Sequence, residues 1–132
     1  MKRTPWLVLL GTAALLAGCG GPRPAPVRGV VRYNGKPMCP GMLHFLPVGG
    51  EGKQAYAALQ QDGSFTVKTQ GEGDGALPGV YKVTVSRGLG NPPDLADYDT
   101  QEKTPITVEV PANGLENWVL DVPLKRGKGA QP

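Results

Sequence analysis

VRGVVRYNGKPMCPGMLHFLPV, residues 27–48, is the stretch whose reading decides the fold. In VRGVVRY (27–33) Val27, Gly29, Val31 and Tyr33 fall on one face, because successive side chains of an extended chain point to opposite sides. Asn34-Gly35 follows, a dipeptide suited to a two-residue turn since both residues tolerate positive φ. Residues 42–48 alternate again, with Leu43 and Phe45 on one face and Met42, His44 and Leu46 on the other. Period two, a tight turn and period two again predict strands with one buried face.

The pattern continues downstream. Residues 54–59 read as a strand, and Gln61-Asp62-Gly63-Ser64 as a turn into 64–69, where Phe65 and Val67 alternate with polar neighbours. A glycine-rich loop, QGEGDGALP (70–78), leads to Gly79–Ser86, in which Tyr81, Val83 and Val85 oppose Val80, Lys82 and Thr84. Residues 87–103 read as a long polar loop, and 104–110 and 118–124 as the last strands. No segment carries a helical apolar period. The 20 Gly and 14 Pro punctuate the β-rich runs, so the composition signals turns and not disorder. Alternation favours an all-β, two-layer antiparallel β-sandwich of about seven strands over a parallel sheet. The residues expected to point inward are Val31, Leu43, Phe45, Phe65, Val67, Tyr81, Val83, Val85, Ile106, Val108 and Leu120.

Upstream the chain changes character. Lys2 and Arg3 precede an apolar run over 6–16, which is too short to span a bilayer, for which about 20 residues are needed. It suits the core of a signal peptide. Leu16-Ala17-Gly18-Cys19 closes it and resembles the lipobox of bacterial lipoproteins: a Leu, two small residues and a Cys. That resemblance implies cleavage after a signal peptide of residues 1–18, a diacylglyceryl thioether on Cys19, and acylation of the new amino terminus with a chain such as palmitate. Residues 19–26 would then be the lipidated Cys and a Pro-rich tether, 27–124 the β-sandwich domain and 125–132 a basic flexible tail. The expected place is the extracytoplasmic, periplasmic side of a membrane, held by the lipid. Gly20, where some inner-membrane lipoproteins carry Asp, favours the outer membrane over the inner.

The net charge of +3 overstates the basicity of such a mature chain. Two of the 14 basic side chains, Lys2 and Arg3, lie in the leader, and none of the 11 acidic ones does. The 12 remaining basic residues are scattered, with no basic stripe flanked by aromatics, which excludes a nucleic-acid partner.

The quoted run 27–47, together with QDGSFTVKT (61–69) and LPGVYKVTV (77–85), resembles carboxypeptidase regulatory-like domains. Those domains show a V-x-G-x-V strand, an N/D-G-K-P turn, then G-x-V-x-F-x-P, D-G-x-F and P-G-x-Y-x-V-x-V. The resemblance extends over 27–124 and implies a transthyretin-like (prealbumin-like) sandwich. It further implies an accessory domain without activity of its own, serving folding, adhesion or substrate engagement. Its motifs are turn and packing signatures, and they speak to fold more than to function.

Catalysis finds little to work with. His44 is the single histidine, and no G-x-S-x-G elbow is present. Hydroxyisourate hydrolases and non-haem iron dioxygenases of the transthyretin-like fold need more histidines than one. The expected catalytic set is therefore empty and no cofactor is expected. Met38, Cys39, Met42 and His44 lie within seven residues, and thiolate, thioether and imidazole suit Cu(I). The alternative is structural, with Met38 in the core, Met42 and His44 outward without a ligand, and Cys39 an unpaired thiol in a turn. Glu72 and Asp74, then Asp94, Asp97 and Asp99, offer oxygens for Ca²⁺, but no EF-hand register accompanies them. Gly71, Gly73, Gly75 and Gly79 form no phosphate cradle, because no Lys-Ser/Thr follows. The expected function is non-enzymatic: a binding or scaffold module acting on a protein or carbohydrate partner through a face, edge or loop end. The alternative is a Cu(I)-binding lipoprotein using the 38–44 cluster.

Overall fold

Two β-sheets face each other across one core in the computed structural model, which describes residues 23–49, 52–88 and 90–124. The expected leader, Cys19, the first part of the tether and the basic tail lie outside the described residues. In chain order the strands are β1 (Val27–Tyr33), β2 (Lys36–Pro37), β3 (Met42–Pro47), β4 (Ala55–Ala58) and β5 (Ser64–Thr66). Next come β6 (Lys68–Thr69), β7 (Gly73–Asp74), β8 (Gly79–Ser86), β9 (Thr107–Val110) and β10 (Leu115–Val122). One sheet runs β10-β1-β2, with β5 also pairing β1; the other runs β7-β6-β4-β3-β8-β9.

The alternation does what period two dictates. All the residues expected inward are buried, from Val31 and Leu43 to Ile106 and Leu120. The Asn34-Gly35 turn is present, with φ of 51° and 85°, and it reverses β1 into β2. Leu43 and Phe45 face the core while Met42, His44 and Leu46 are only partly buried. An aromatic chain crosses between the sheets: Phe65 (β5) and Phe45 (β3) each meet Trp118 (β10) edge-on at 6.2 Å, and Phe45 meets Tyr81 (β8) at 6.1 Å.

Several strand bounds differ from the expected ones. The sheets are antiparallel-rich as expected, with one parallel pair, β1 and β10, from Val27↔Leu115 to Tyr33↔Val122. After β9, at the edge of the larger sheet, the chain crosses to the other layer and runs alongside its first strand. Residues 64–69 are not one strand: β5 pairs β1 and β6 pairs β4, so the chain changes sheets at Val67, whose N–H donates to the Val27 carbonyl. The strand expected over 104–110 starts only at Thr107, because the chain before it is held by Thr104, whose hydroxyl donates to the Val83 carbonyl at 2.6 Å. Pro105 also lacks an N–H for a ladder. Conversely β10 begins at Leu115, three residues before the expected start at 118, and passes Asn117 at φ 61°. Ahead of β1, Ala25 is buried and bridges Ala76.

The loop 87–103 is not merely polar. It contains a 3-10 helix, Pro93–Asp99, that buries Leu95 and Tyr98, three residues apart as three residues per turn requires. Asn91 holds it in place. Its Oδ1 accepts the Arg87 N–H at 2.9 Å, and its Nδ2 donates to the carbonyls of Val85 (2.8 Å) and Leu95 (3.0 Å). Asn91→Ala should therefore destabilise the protein by roughly 1–3 kcal/mol. Asn91→Asp should do the same, because it keeps the acceptor and loses both donors. Urea unfolding measures both, and a cost only for Ala would mean that the two donor bonds contribute nothing.

Candidate functional site

Strand register places the soft-ligand residues on different sides of the protein. Met38 follows β2, and its N–H donates to the Val31 carbonyl; its side chain is buried in the core. Met42 and His44, on β3, point away from that core on the outer face of the larger sheet, where His44 pairs with Tyr56 on one side and Thr84 on the other. Cys39 is half-buried, with its thiol 3.8 Å from the Leu59 carbonyl, beside an open hollow bordered by Gln60, Gln61 and Asp62. The geometry thus brings Met42 and His44 onto one face and leaves Met38 inside. Hydrogen bonds from the Ser64 hydroxyl and N–H hold the Asp62 carboxyl below its ordinary pKa.

The acidic residues divide between opposite ends of the sandwich. Glu72 lies in the β6–β7 hairpin and pairs with Lys53, while Asp74 is on β7 itself. Asp94, Asp97 and Asp99 are on the 3-10 helix. Asp94 accepts the Tyr33 hydroxyl on both carboxylate oxygens, at 2.7 and 2.8 Å, and this bond raises the Tyr33 pKa. The Arg87 guanidinium lies 5.8 Å from the Tyr33 ring centre, a cation–π contact on the same cluster. Tyr33, Arg87 and Asp94 together dock the helix on the end of β1. Among the described residues no group of three or more His, Cys, Asp or Glu side chains could hold a metal ion.

A surface feature that sequence reasoning missed lies at the other end. Val48 and Val80 are 51% and 42% exposed, and the Val48 N–H donates to the Val80 carbonyl at 3.0 Å. With Pro47, Leu77 and Pro78 they border a hollow of about 300 Å³. The Tyr81 hydroxyl donates to the Leu77 carbonyl at 2.6 Å and fixes the hollow's wall. Each valine alone reads as an ordinary outward residue. The patch arises only because β3 and β8 are neighbours in the sheet.

No helix among the described residues is long and apolar enough to cross a membrane. Comparisons of the chain with family models, with curated proteins and with solved structures found no match.

Proposed function

We propose that this chain is a lipid-anchored protein of the periplasmic side, whose β-sandwich is a non-enzymatic binding or scaffold module. The observation that carries the reading is the run Leu16-Ala17-Gly18-Cys19, placed after a basic start and a short apolar stretch, and just ahead of a folded all-β domain. The thiol is the one side chain in that run able to form a thioether. Two acyl chains at about 0.8 kcal/mol per buried CH₂ hold a protein stably where one would not. The finer assignment, a transthyretin-like domain of the carboxypeptidase regulatory-like kind, belongs to the same proposal and is supported by the turn and packing motifs of 27–85. The non-enzymatic part is supported by the sequence having a single histidine, His44, which stands between Tyr56 and Thr84 across the ladder.

Cys19→Ala is the test. Cells fed an alkyne-labelled palmitate should label the parent chain, while the variant should carry no label and should leave the membrane fraction or accumulate uncleaved. Normal processing with full membrane retention in Cys19→Ala would overturn the proposal.

A further inference from the structure

We infer that the apolar tip formed by Pro47, Val48, Leu77, Pro78 and Val80 docks on the surface of the lipid bilayer, as a second membrane contact beside the anchor. The inference rests on the proposed lipid anchor at Cys19.

Three observations converge on this tip. The first is where the anchored segment enters the domain. Ala25 exchanges hydrogen bonds with Ala76, at 2.8 and 2.9 Å, and Ala76 immediately precedes Leu77 and Pro78 of the tip. The second is chain length. Six residue steps separate Cys19 from Ala25, which is about 20 Å even at full extension. A sandwich on so short a leash must present its entry end to the membrane, and register identifies that end: Val27 begins β1, Pro47 ends β3 and Gly79 begins β8.

The third is the apolar patch itself. Val48 and Val80 are two of the four exposed large apolar side chains among the described residues, and both lie at this end. Around them the Glu72 charge is paired with Lys53, Asp74 lies on β7, at the sheet edge three strands from β3, and Glu109 of β9 lies opposite Val80 at the rim of the patch. The patch needs little affinity of its own, because a short tether gives it an effective concentration on the order of millimolar.

The test uses the full chain, extracted with its anchor and reconstituted in phosphatidylcholine–phosphatidylglycerol vesicles that contain a lipid with a nitroxide on its upper acyl chain. Val48→Trp and Val80→Trp report on the tip. Gln61→Trp, at the far end, controls for the affinity of indole itself for the interface. Trp118 is fully buried and supplies a constant background. Matching unfolding midpoints for parent and variants establish that the fold is intact. Because interfacial apolar groups sit about 5–10 Å into the headgroup–acyl boundary, quenching at positions 48 and 80 should exceed that at position 61 by about threefold or more. Adding Val48→Asp to the Val80→Trp variant should remove its excess quenching.

A chain that floats with the vesicles yet quenches equally at all three positions overturns the docking and leaves the anchor intact. A chain that does not float overturns the anchor and the docking with it. If the emission of the Val48→Trp variant shifts to the blue with rising protein density, without lipid quenching, the tip belongs to a contact with a second copy and the docking is overturned.

Discussion

Trp118→Ala is expected to destabilise the protein by roughly 3–5 kcal/mol, toward the upper end of that range. The indole is fully buried on β10, the edge strand of the smaller sheet, and meets Phe65 of its own layer and Phe45 of the opposite one. Removing it therefore opens a cavity where the two sheets meet and breaks both edge-on ring contacts, each worth about 0.5–1.5 kcal/mol beyond its area. A domain of this size has a total stability of roughly 5–15 kcal/mol, so the loss is a large fraction of the whole. Thermal unfolding should shift down by about 4–8 °C for each kcal/mol lost. Trp118→Phe keeps an apolar ring in the site and should cost about half as much or less. Circular dichroism during urea unfolding is the suitable measurement, since the substitution removes the buried fluorophore. A change below about 1 kcal/mol for Trp118→Ala would mean that the sheets do not depend on this wedge.

The same residue shows how far the sequence could be read. Parity alone puts Trp118 on the face of Leu120 and Val122, all three of them buried. Period two is visible in a single strand, which is why the inward residues of β1, β3, β8 and β9 were legible. Strand direction is not visible, because parallel and antiparallel strands share that period, and the parallel pairing of β1 with β10 left no mark on either. The change of sheet at Val67 is equally silent. Phe65, Val67 and Thr69 are all buried in unbroken alternation although β5 and β6 belong to different sheets.

The candidate sites divide in the same way. Met38, Cys39, Met42 and His44 are neighbours in sequence, but the chain passes from the smaller sheet to the larger between β2 and β3: Met38 packs inward while 42 and 44 keep the outward parity of β3. Val48 and Val80 are far apart in sequence and adjacent in space, joined by the β3–β8 pairing. Local pattern reports which way a side chain points. It does not report which distant strand lies beside it, and on a sandwich most binding surfaces are assembled by that neighbour relation. The 3-10 helix lies between these cases, since Leu95 and Tyr98 show a three-residue spacing in an otherwise polar stretch.

Gly29→Ala should be a severely damaging single-methyl change, at about 3 kcal/mol or more, because it adds volume where the two strands have none to spare. Gly29 pairs with Trp118 just past a register shift between Val27 and Gly29. A methyl there would meet the Trp118 carbonyl oxygen at 2.0 Å, its carbonyl carbon at 2.9 Å and the Phe65 ring tip at 3.0 Å. Two of those three atoms are backbone, so relief requires β10 to move off β1, which weakens the ladder and tilts the indole out of its place between the sheets. The glycine of the β1–β2 turn is a control of opposite kind. Gly35 sits at φ 85° with nothing within 4 Å of where a Cβ would lie, so Gly35→Ala meets a conformational penalty of about 1 kcal/mol and no clash. Urea unfolding ranks the two changes, and the near-ultraviolet circular dichroism of Trp118 reads the displacement directly. Gly29→Ala should flatten that signal in the folded protein while Gly35→Ala leaves it intact. Equal costs for the two variants, with the Trp118 signal unchanged in both, would mean that β10 yields to the added methyl without strain and that the close approach of β1 and β10 is not what locks the aromatic chain.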